Sequence, residues 1–396
     1  MASRTTVRQQ ASHCCGCSAC VTICPVDAII MKADAEGFAV PHVDSARCIG
    51  CNRCELFCTQ KESRTSVQPL SVFGGAAVDA DVRTRASSGG IFSLLAHKKH
   101  SEGAVVFGAV FTDSFEVEHA GAVTREGIEA MFGSKYVESQ VASAVVHARQ
   151  VLQNGMPVLF AGTPCQVEGL RKSLSPEENE LLTAVDFVCH GVPSPAVFKS
   201  YLNWLTRDGR TLTSFGFRSK IHGWKDFSVK ADFNDGSSWV ASQTEDPYMR
   251  GFLQNLYLRP SCHHCRIRHG CHAADLTLAD LWGAQDLYPD RDDDTGLSLI
   301  LCNTEKGREM LRSIEEQLNL FEVKDLAPMQ RFNPSIFVPA VAHRNRNRFF
   351  QQFAREGFRP ELIDRMLRAP GLWERGVGKV RRTLGRLMPS SEKGAP

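Results

Sequence analysis

CCGCSACVTIC spans Cys14–Cys24 and CIGCNRCELFC spans Cys48–Cys58, and the two stretches share one rhythm, C-x2-C-x2-C-x3-C. Three closely spaced thiolates on one loop can cap three corners of an iron–sulfur cubane. The fourth, set off by a longer step, cannot close the same cube without strain and reaches the neighbouring one. The spacing therefore predicts one 4Fe-4S centre on Cys14, Cys17, Cys20 and Cys58, and its twin on Cys48, Cys51, Cys54 and Cys24. Cys24 is followed by Pro25 whereas Cys58 is followed by Thr59. Cys15, inside the first loop, reads as a spectator thiol.

Other uses of cysteine fit less well. Zinc takes four ligands per tetrahedral site, usually as two separated pairs, whereas each block here sets the four thiols of the pattern within eleven residues. Disulfides need an oxidising compartment, and the leading MASRTTVRQQ has no apolar stretch resembling a signal peptide. The reading is a two-cluster unit of the bacterial ferredoxin type in a reducing, cytoplasmic setting.

At 396 residues the chain exceeds one ordinary domain, and about two or three are expected. The formal net charge is +2, so bulk electrostatics favour neither nucleic acid nor a general anionic partner. No run of about 18 apolar residues predicts a membrane-spanning helix.

Beyond the cysteine blocks, residues 61–86 carry little periodicity and read as a linker or a strand of covering chain. Then α/β alternation begins. A helix is predicted from Ile91, strands over Ala104–Phe111, Pro157–Ala161 and Leu181–Val188, and helices over Gln140–Gln153 and Ala196–Leu205. The pattern favours an open, mostly parallel sheet covered by helices. Thr211–Val240 alternates apolar and polar residues around Asn234-Asp235-Gly236, a hairpin turn, so an antiparallel section is inserted. Leu297–Cys302 reads as one more buried strand, and a helix follows from about Glu305 to Leu318. From Trp373 onward, Val377, Val380, Leu384 and Leu387 recur at helical spacing against Arg375, Lys379, Arg381, Arg382 and Arg386. Such a basic amphipathic helix suits docking on its own domain or a partner, with peripheral membrane contact as the alternative.

Four more cysteines sit where strands end. Cys165, in Gly162-Thr163-Pro164-Cys165-Gln166, follows one strand, and Cys189, in Cys189-His190-Gly191-Val192-Pro193, follows the next. Parallel strands ending at one edge would bring both to a crevice, where open α/β sheets place ligands. The Cys262-x2-Cys265 pair could complete a four-thiolate site, or could join Cys271 and His272 around zinc, and spacing alone leaves both open.

SSGGIFSLLA (87–96), GSKYVES (133–139), LFAGTPCQVEGLRK (159–172), DFVCHGVPSP (186–195) and SCHHC with ADLTLADLWG (261–265 and 274–283) occur in this order. Together they resemble the family formed by the beta subunits of the coenzyme factor 420 (deazaflavin) hydrogenases and dehydrogenases, which includes flavoprotein reductases. The likeness runs from about Cys14 to Asn303, with Ala279 departing from the Gly seen in many relatives.

The expected chain is α/β (α+β overall) in four parts: a two-cluster ferredoxin domain over 1–65, a linker over 66–86, an open α/β domain over 87–330, which the resemblance implies carries flavin and iron–sulfur, and a helical extension over 331–396. The resemblance implies a third 4Fe-4S cluster on Cys165, Cys189, Cys262 and Cys265, leaving Cys15, Cys271 and Cys302 as spectators, and FAD, or FMN, beside it. Ser87, Ser88, Gly89 and Gly90, ahead of a helix, would offer N–H groups to the flavin phosphate, with Ser134 and Lys135 nearby. Lys135, Tyr136 and His190 are the candidate catalytic groups; a surface lysine and a packed tyrosine are as ordinary a reading of the first two, and a structural histidine is the more ordinary reading of His190. His263 and His264 read as caps of the Cys loop, and Arg218, Lys220 and Trp224 as groups that could meet an anionic or aromatic substrate.

Two functions follow. One is an iron–sulfur flavoprotein oxidoreductase, fed by ferredoxin or another redox carrier and acting on a small organic or deazaflavin acceptor. The other is a non-catalytic electron-transfer subunit of a larger hydrogenase- or dehydrogenase-type complex.

Overall fold

The computed structural model describes residues 13–61, 68–267 and 272–368. Among the described residues, thirteen strands form three sheets. In the first, β1 (Ile29–Ala33) pairs antiparallel with β2 (Ala39–Val43) between the two cysteine loops. The loops repeat each other in backbone as in sequence. Gly16 and Gly50 have φ of 72° and 73°, and Ser18 and Asn52, two residues on in each, have φ of 60° and 57°. Short helices follow at the same offset, Ala19–Thr22 and Arg53–Leu56. The left-handed residues curl each loop, a geometry glycine takes at no steric cost.

The second sheet has eight strands: β3 (Ser71–Ala77), β4 (Val105–Phe111), β5 (Val117–Ala122), β6 (Val158–Ala161), β7 (Leu182–Phe187), β11 (Leu276–Asp280), β12 (Ser298–Cys302) and β13 (Leu318–Glu322). Their spatial order is β13-β3-β12-β11-β7-β6-β4-β5. The pairs β11/β7, β7/β6 and β6/β4 are parallel and the other four antiparallel. The sheet is thus mixed, with a parallel centre between antiparallel flanks, where sequence periodicity suggested a mostly parallel one. Part of the difference lies in β3, which falls in the stretch read as linker or covering chain. Its Gly74 and Gly75 carry no apolar signal, yet they admit the close approach of β13: a Cβ on Gly74 would sit 2.2 Å from the Phe321 ring. The helix expected to run to Leu318 stops at Arg312, and a 3-10 turn, Glu315–Gln317, leads into β13.

Alternation sets the two faces of the centre. Val106, Leu159, Val185, Leu276 and Ile300 point to one core, with Ile91, Leu94 and Leu95 of α1 (Ile91–Ser101). Val105, Phe107, Val158, Phe160, Leu182 and Ala184 point to the other, with Val145, Ala148 and Leu152 of α2 (Ala142–Gln153) and Val167 and Leu170 of α3 (Pro164–Lys172). Period-two side chains with apolar residues on both faces are what a sheet buried on both sides requires.

The third sheet is the predicted antiparallel insertion, β8 (Leu212–Ser219), β9 (Ser228–Phe233) and β10 (Ser238–Ser242), with Gly236 in its hairpin turn at φ 83°. It packs with α4 (Pro195–Leu205), α5 (Pro247–Leu253), α6 (Arg346–Glu356) and α7 (Pro360–Leu367) around an aromatic core containing Phe198, Tyr201, Phe217, Tyr248 and Phe349. Phe38, from the cysteine-loop unit, is fully buried in the same core. Among the described residues no helix is long and apolar enough to cross a membrane. The basic tail from Trp373 lies outside the described residues.

Candidate iron-sulfur and nucleotide sites

The cysteine-loop unit is held against the larger sheet by buried charge. Arg259 is 1 % exposed, and its guanidinium donates to the Cys14 carbonyl (2.6 Å), the Ala39 carbonyl (2.7 Å) and the Glu138 carboxylate (2.5 Å). Arg346 of α6 pairs with Glu36, whose carbonyl also accepts from Ser194 Oγ at 2.5 Å. Gly169 of α3 lies against the first cysteine loop: a Cβ there would come within 2.9 Å of Cys17 Cβ and 3.0 Å of the Cys17 carbonyl.

Cys14, Cys17, Cys20 and Cys58 line one cavity, together with Cys15, Cys54 and Thr59. Cys54 in turn has Cys51, Cys24 and Cys48 as charge neighbours. Cys58 thus lines the same cavity as Cys14, Cys17 and Cys20, and Cys24 is a neighbour of Cys54 in the second loop. Backbone N–H groups face the sulfurs: Gly16 N lies 3.4 Å from Cys14 Sγ, and Ala28 N lies 3.2 Å from Cys24 Sγ. Burial is the main cause that raises the Cys14 thiol to about 11 and pushes Cys20 higher still. Buried thiols of this kind ionise more readily beside a cation, and a bound iron–sulfur cluster would supply that charge.

A second cavity is walled by Cys165, Cys189, Cys262 and Cys265, with Ser261, His272, Val192 and Cys15. The fold explains the convergence. β6 and β7 are adjacent and parallel, with Ala161 beside Val185, so the turns leaving them share one edge. Cys165 sits in the first turn of α3. Its approach is set by Gln166, whose side-chain oxygen accepts from Thr163 N–H (2.9 Å) while its amide donates to Ser139 Oγ (3.0 Å). Ser139 meets Nδ1 of His119 (2.8 Å), and His119 Nε2 meets the Ala161 carbonyl (3.0 Å). Burial lowers the His119 pKa to about 4.

Cys262 and Cys265 arrive on a short 3-10 turn, Pro260–His264. Val192 N–H points at Cys262 Sγ (3.5 Å), and burial pushes that thiol up to about 12. His272 Nδ1 meets Asp186 Oδ2 (2.8 Å), and Asp186 Oδ1 accepts from Thr277 (2.5 Å). Cys271, of the zinc alternative, lies outside the described residues. Among the described residues no three His, Cys, Asp or Glu side chains could hold a single metal ion; the thiols wall two cavities instead. Cys302 is buried in β12, away from both.

The residues read as nucleotide-binding meet at the start of α1. Ser87 Oγ accepts from the N–H (2.7 Å) and hydroxyl (2.9 Å) of Ser134. Arg218 donates to the Ser87 carbonyl (2.8 Å), to Tyr136 Oη (3.0 Å) and to both oxygens of Asp280 (2.9 and 3.2 Å). Lys220 Nζ reaches the carbonyls of Arg83, Ser88 and Thr295, and burial lowers its pKa to about 8. Gly90, at φ 87°, precedes α1 without a side-chain cap, while Gly89 N–H donates to Ser298 Oγ (2.9 Å).

Lys135 Nζ lies on the carbonyls of Ala130 (3.0 Å) and Phe132 (2.9 Å), and burial lowers its pKa to about 7. His190 stands apart from this group, with Nε2 at Asn255 Oδ1 (2.5 Å) and its ring edge-on to Phe252. His263 Nδ1 meets the Ala340 carbonyl (2.9 Å). Trp224 is fully buried, stacked on Trp282 at 4.6 Å, with its indole N–H on Asp280.

Sequence reading missed Arg259, Glu138 and the His119–Ser139 pair. Their partners are remote in the chain, and only the Thr163-Pro164-x-Gln166 start of α3 carried a local signal, as a capping box with Pro at the first helical position.

Residues 155–328 match the family model for the C-terminal region of the beta subunits of coenzyme F420 hydrogenases and dehydrogenases, and residues 13–61 match that of the 4Fe-4S dicluster domain. The chain is 22 % identical over 326 residues to the F component of the F(420)H(2) dehydrogenase of Methanosarcina mazei, covering 78 % of this chain and 84 % of that one. A chain from the F420-reducing [NiFe] hydrogenase complex of Methanosarcina barkeri superposes with a TM-score of 0.47 at 16 % identity, over 81 % of this chain and 94 % of the other.

Proposed function

We propose that this chain, which resembles the beta subunits of the coenzyme F420 hydrogenases and dehydrogenases and carries a 4Fe-4S dicluster domain at its N-terminus, is the iron–sulfur electron-transfer subunit of a larger complex of that type. The observation that carries this reading is the convergence of Cys165, Cys189, Cys262 and Cys265, from three separate turns, on one cavity beside that of the first cysteine loop. The two loops would hold two clusters and the mid-chain thiols a third. Val192 N–H, already aimed at Cys262 Sγ, would remain as a donor to the bound sulfur, of the kind that tunes cluster potentials.

A flavin, FAD in the first instance, is the further part of the proposal. When bound, it converts between one-electron carriers and a hydride acceptor such as a deazaflavin. The start of α1 supports a phosphate site, since Gly90 gives the helix N-terminus no side-chain cap and Lys220 brings positive charge to the Ser87–Gly90 turn, whereas the charge of Arg218 is met by Asp280. Tyr136, held by Arg218, and Lys135 stand on the adjoining loop, where a lysine of lowered pKa could carry a proton at Nζ. His190, held by Asn255 beside Cys189, orients its own loop.

A second reading is a self-sufficient reductase fed by ferredoxin or another carrier. The docking of the cysteine-loop unit through Arg259 favours it, because the chain then carries its own electron input. Anaerobic purification from the native source separates the two. A stable large partner, with the isolated chain holding about twelve iron atoms but showing no turnover, supports the role within a complex; turnover by the chain alone supports the reductase. Cys165→Ser should reduce iron from about twelve to about eight per chain, and unchanged iron would remove the mid-chain cluster from the proposal.

A further inference from the structure

We infer that the three candidate cluster sites lie in one line, second loop to first loop to mid-chain site, and that Cys15 is the junction between the last two. This rests on the cluster assignment proposed above. The outer end is marked by Cys51, the one exposed cysteine among the described ones, so the second loop faces solvent and any incoming carrier. Cys54 of that loop also lines the first cavity and stands among the charge neighbours of Cys20, which joins the second site to the first.

The step inward has a narrower basis. The first cavity and the mid-chain cavity share two wall residues, Cys15 and Gln60. The Cys15 thiol is within hydrogen-bonding reach of a candidate ligand of each site, Cys17 on one side and Cys165 on the other. The Cys165 thiol is in turn 4.0 Å from the Cys15 carbonyl. Thr59 Oγ1 fixes the arrangement from beneath, 3.4 Å from Cys15 Sγ and 3.7 Å from Cys17 Sγ. Gly169 removes the side chain that would otherwise hold α3 off the loop. The two cavities thus meet at a wall to which Cys15 and Gln60 both contribute, and the Cys15 thiol is the sulfur in it. Electronic coupling falls steeply across empty space and less across packed, polarisable atoms, and sulfur is the most polarisable side-chain atom available.

The redox balance is simple. One electron leaves the iron held by the first loop, which is oxidised, and arrives at the iron held by Cys165, Cys189, Cys262 and Cys265, which is reduced. No bond or proton changes at Cys15, so it acts as a positioning residue.

The test uses the anaerobic holoprotein, reduced with less than one equivalent of dithionite and followed by freeze-quench electron paramagnetic resonance, beside iron analysis. Cys15→Ala, which deletes the bridging atom, is expected to keep the full iron content and each cluster's own signal. It should show a several-fold slower exchange of the electron between the first-loop and mid-chain clusters and a weaker magnetic interaction when both are reduced. Cys15→Ser, which puts an atom back in the gap, should restore much of both. Parent-like exchange in Cys15→Ala at full iron content overturns the inference. So does loss of about four iron atoms in both variants, which would make Cys15 a ligand. A parent protein with no mid-chain cluster signal would instead overturn the functional proposal, so the two failures are distinguishable.

Discussion

Replacing Arg259 with Met should release the cysteine-loop unit from the rest of the chain. The guanidinium is fully buried and serves three acceptors, of which Glu138 is itself 6 % exposed. Removing one partner of a buried ion pair costs about 3–5 kcal/mol, because the other charge is left without compensation. Met fills most of the volume, so the loss is electrostatic rather than a cavity. At about 2.1 cal/mol/K of unfolding entropy per residue, 396 residues give about 0.8 kcal/mol/K, so that loss lowers a cooperative midpoint by about 4–6 °C. The double variant Arg259→Met/Glu138→Leu removes both charges and should recover more than half of the loss. Anaerobic thermal melts of parent, both single variants and the double variant close a double-mutant cycle. A shift below about 1 °C for Arg259→Met, or a double variant no better than the single, would refute the argument that this pair holds the two units together.

Gly169→Ala reverses an ordinary rule. In an open helix interior the change stabilises by about 1 kcal/mol, but here the added methyl meets Cys17 Cβ at 2.9 Å, so the melt should fall and the first cluster should bleach faster in air. Gln166→Leu strands Thr163 N–H and Ser139 at the Cys165 turn, and a loss of about 1–2 kcal/mol with lower mid-chain iron occupancy is expected by denaturation and iron analysis. His119 titrates near pH 4 in the fold against about 6.5 unfolded, so the unfolded chain binds more protons between these values and stability is lost as pH falls through that window. In His119→Gln the thermal midpoint should depend less on pH between about 6.5 and 4.5 than in the parent, and identical slopes would exclude this residue.

The parts legible in the sequence were those whose physics is local. The doubled cysteine block predicted two loops of equal geometry, and Gly16/Gly50 and Ser18/Asn52 repeat their backbone angles within a few degrees because each loop sets the same cysteine spacing over the same short span. The central strands were legible because largely apolar runs such as Pro157–Ala161 and Leu181–Val188 have few alternatives to burial on both faces. β3 and β13 were not, since Gly74 and Gly75 signal close approach only once Phe321 is seen against them. The candidate sites divide the same way. Cys165 and Cys189 follow strands that a reader can find.

Their juxtaposition with the first cysteine loop depends instead on contacts such as Arg259 to Cys14, 245 residues apart, for which no sequence window carries a signal. Cys15 shows the consequence. As a residue in a motif it is the surplus thiol, outside the C-x2-C-x2-C-x3-C count. As a residue in the fold it stands where two cavities meet, because Gly169 lets α3 close onto the loop and Arg259 holds the loop there. The same two residues that fix the docking therefore set the separation between the candidate clusters. Gly169→Ala should accordingly weaken the magnetic interaction between the first-loop and mid-chain clusters as well as the stability of the chain, whereas Gln166→Leu should disturb the mid-chain site alone. If Gly169→Ala lowers the melt yet leaves that interaction at its parent value, docking and wiring are separate properties of this fold, and the contact at Cys17 does not control the distance across Cys15.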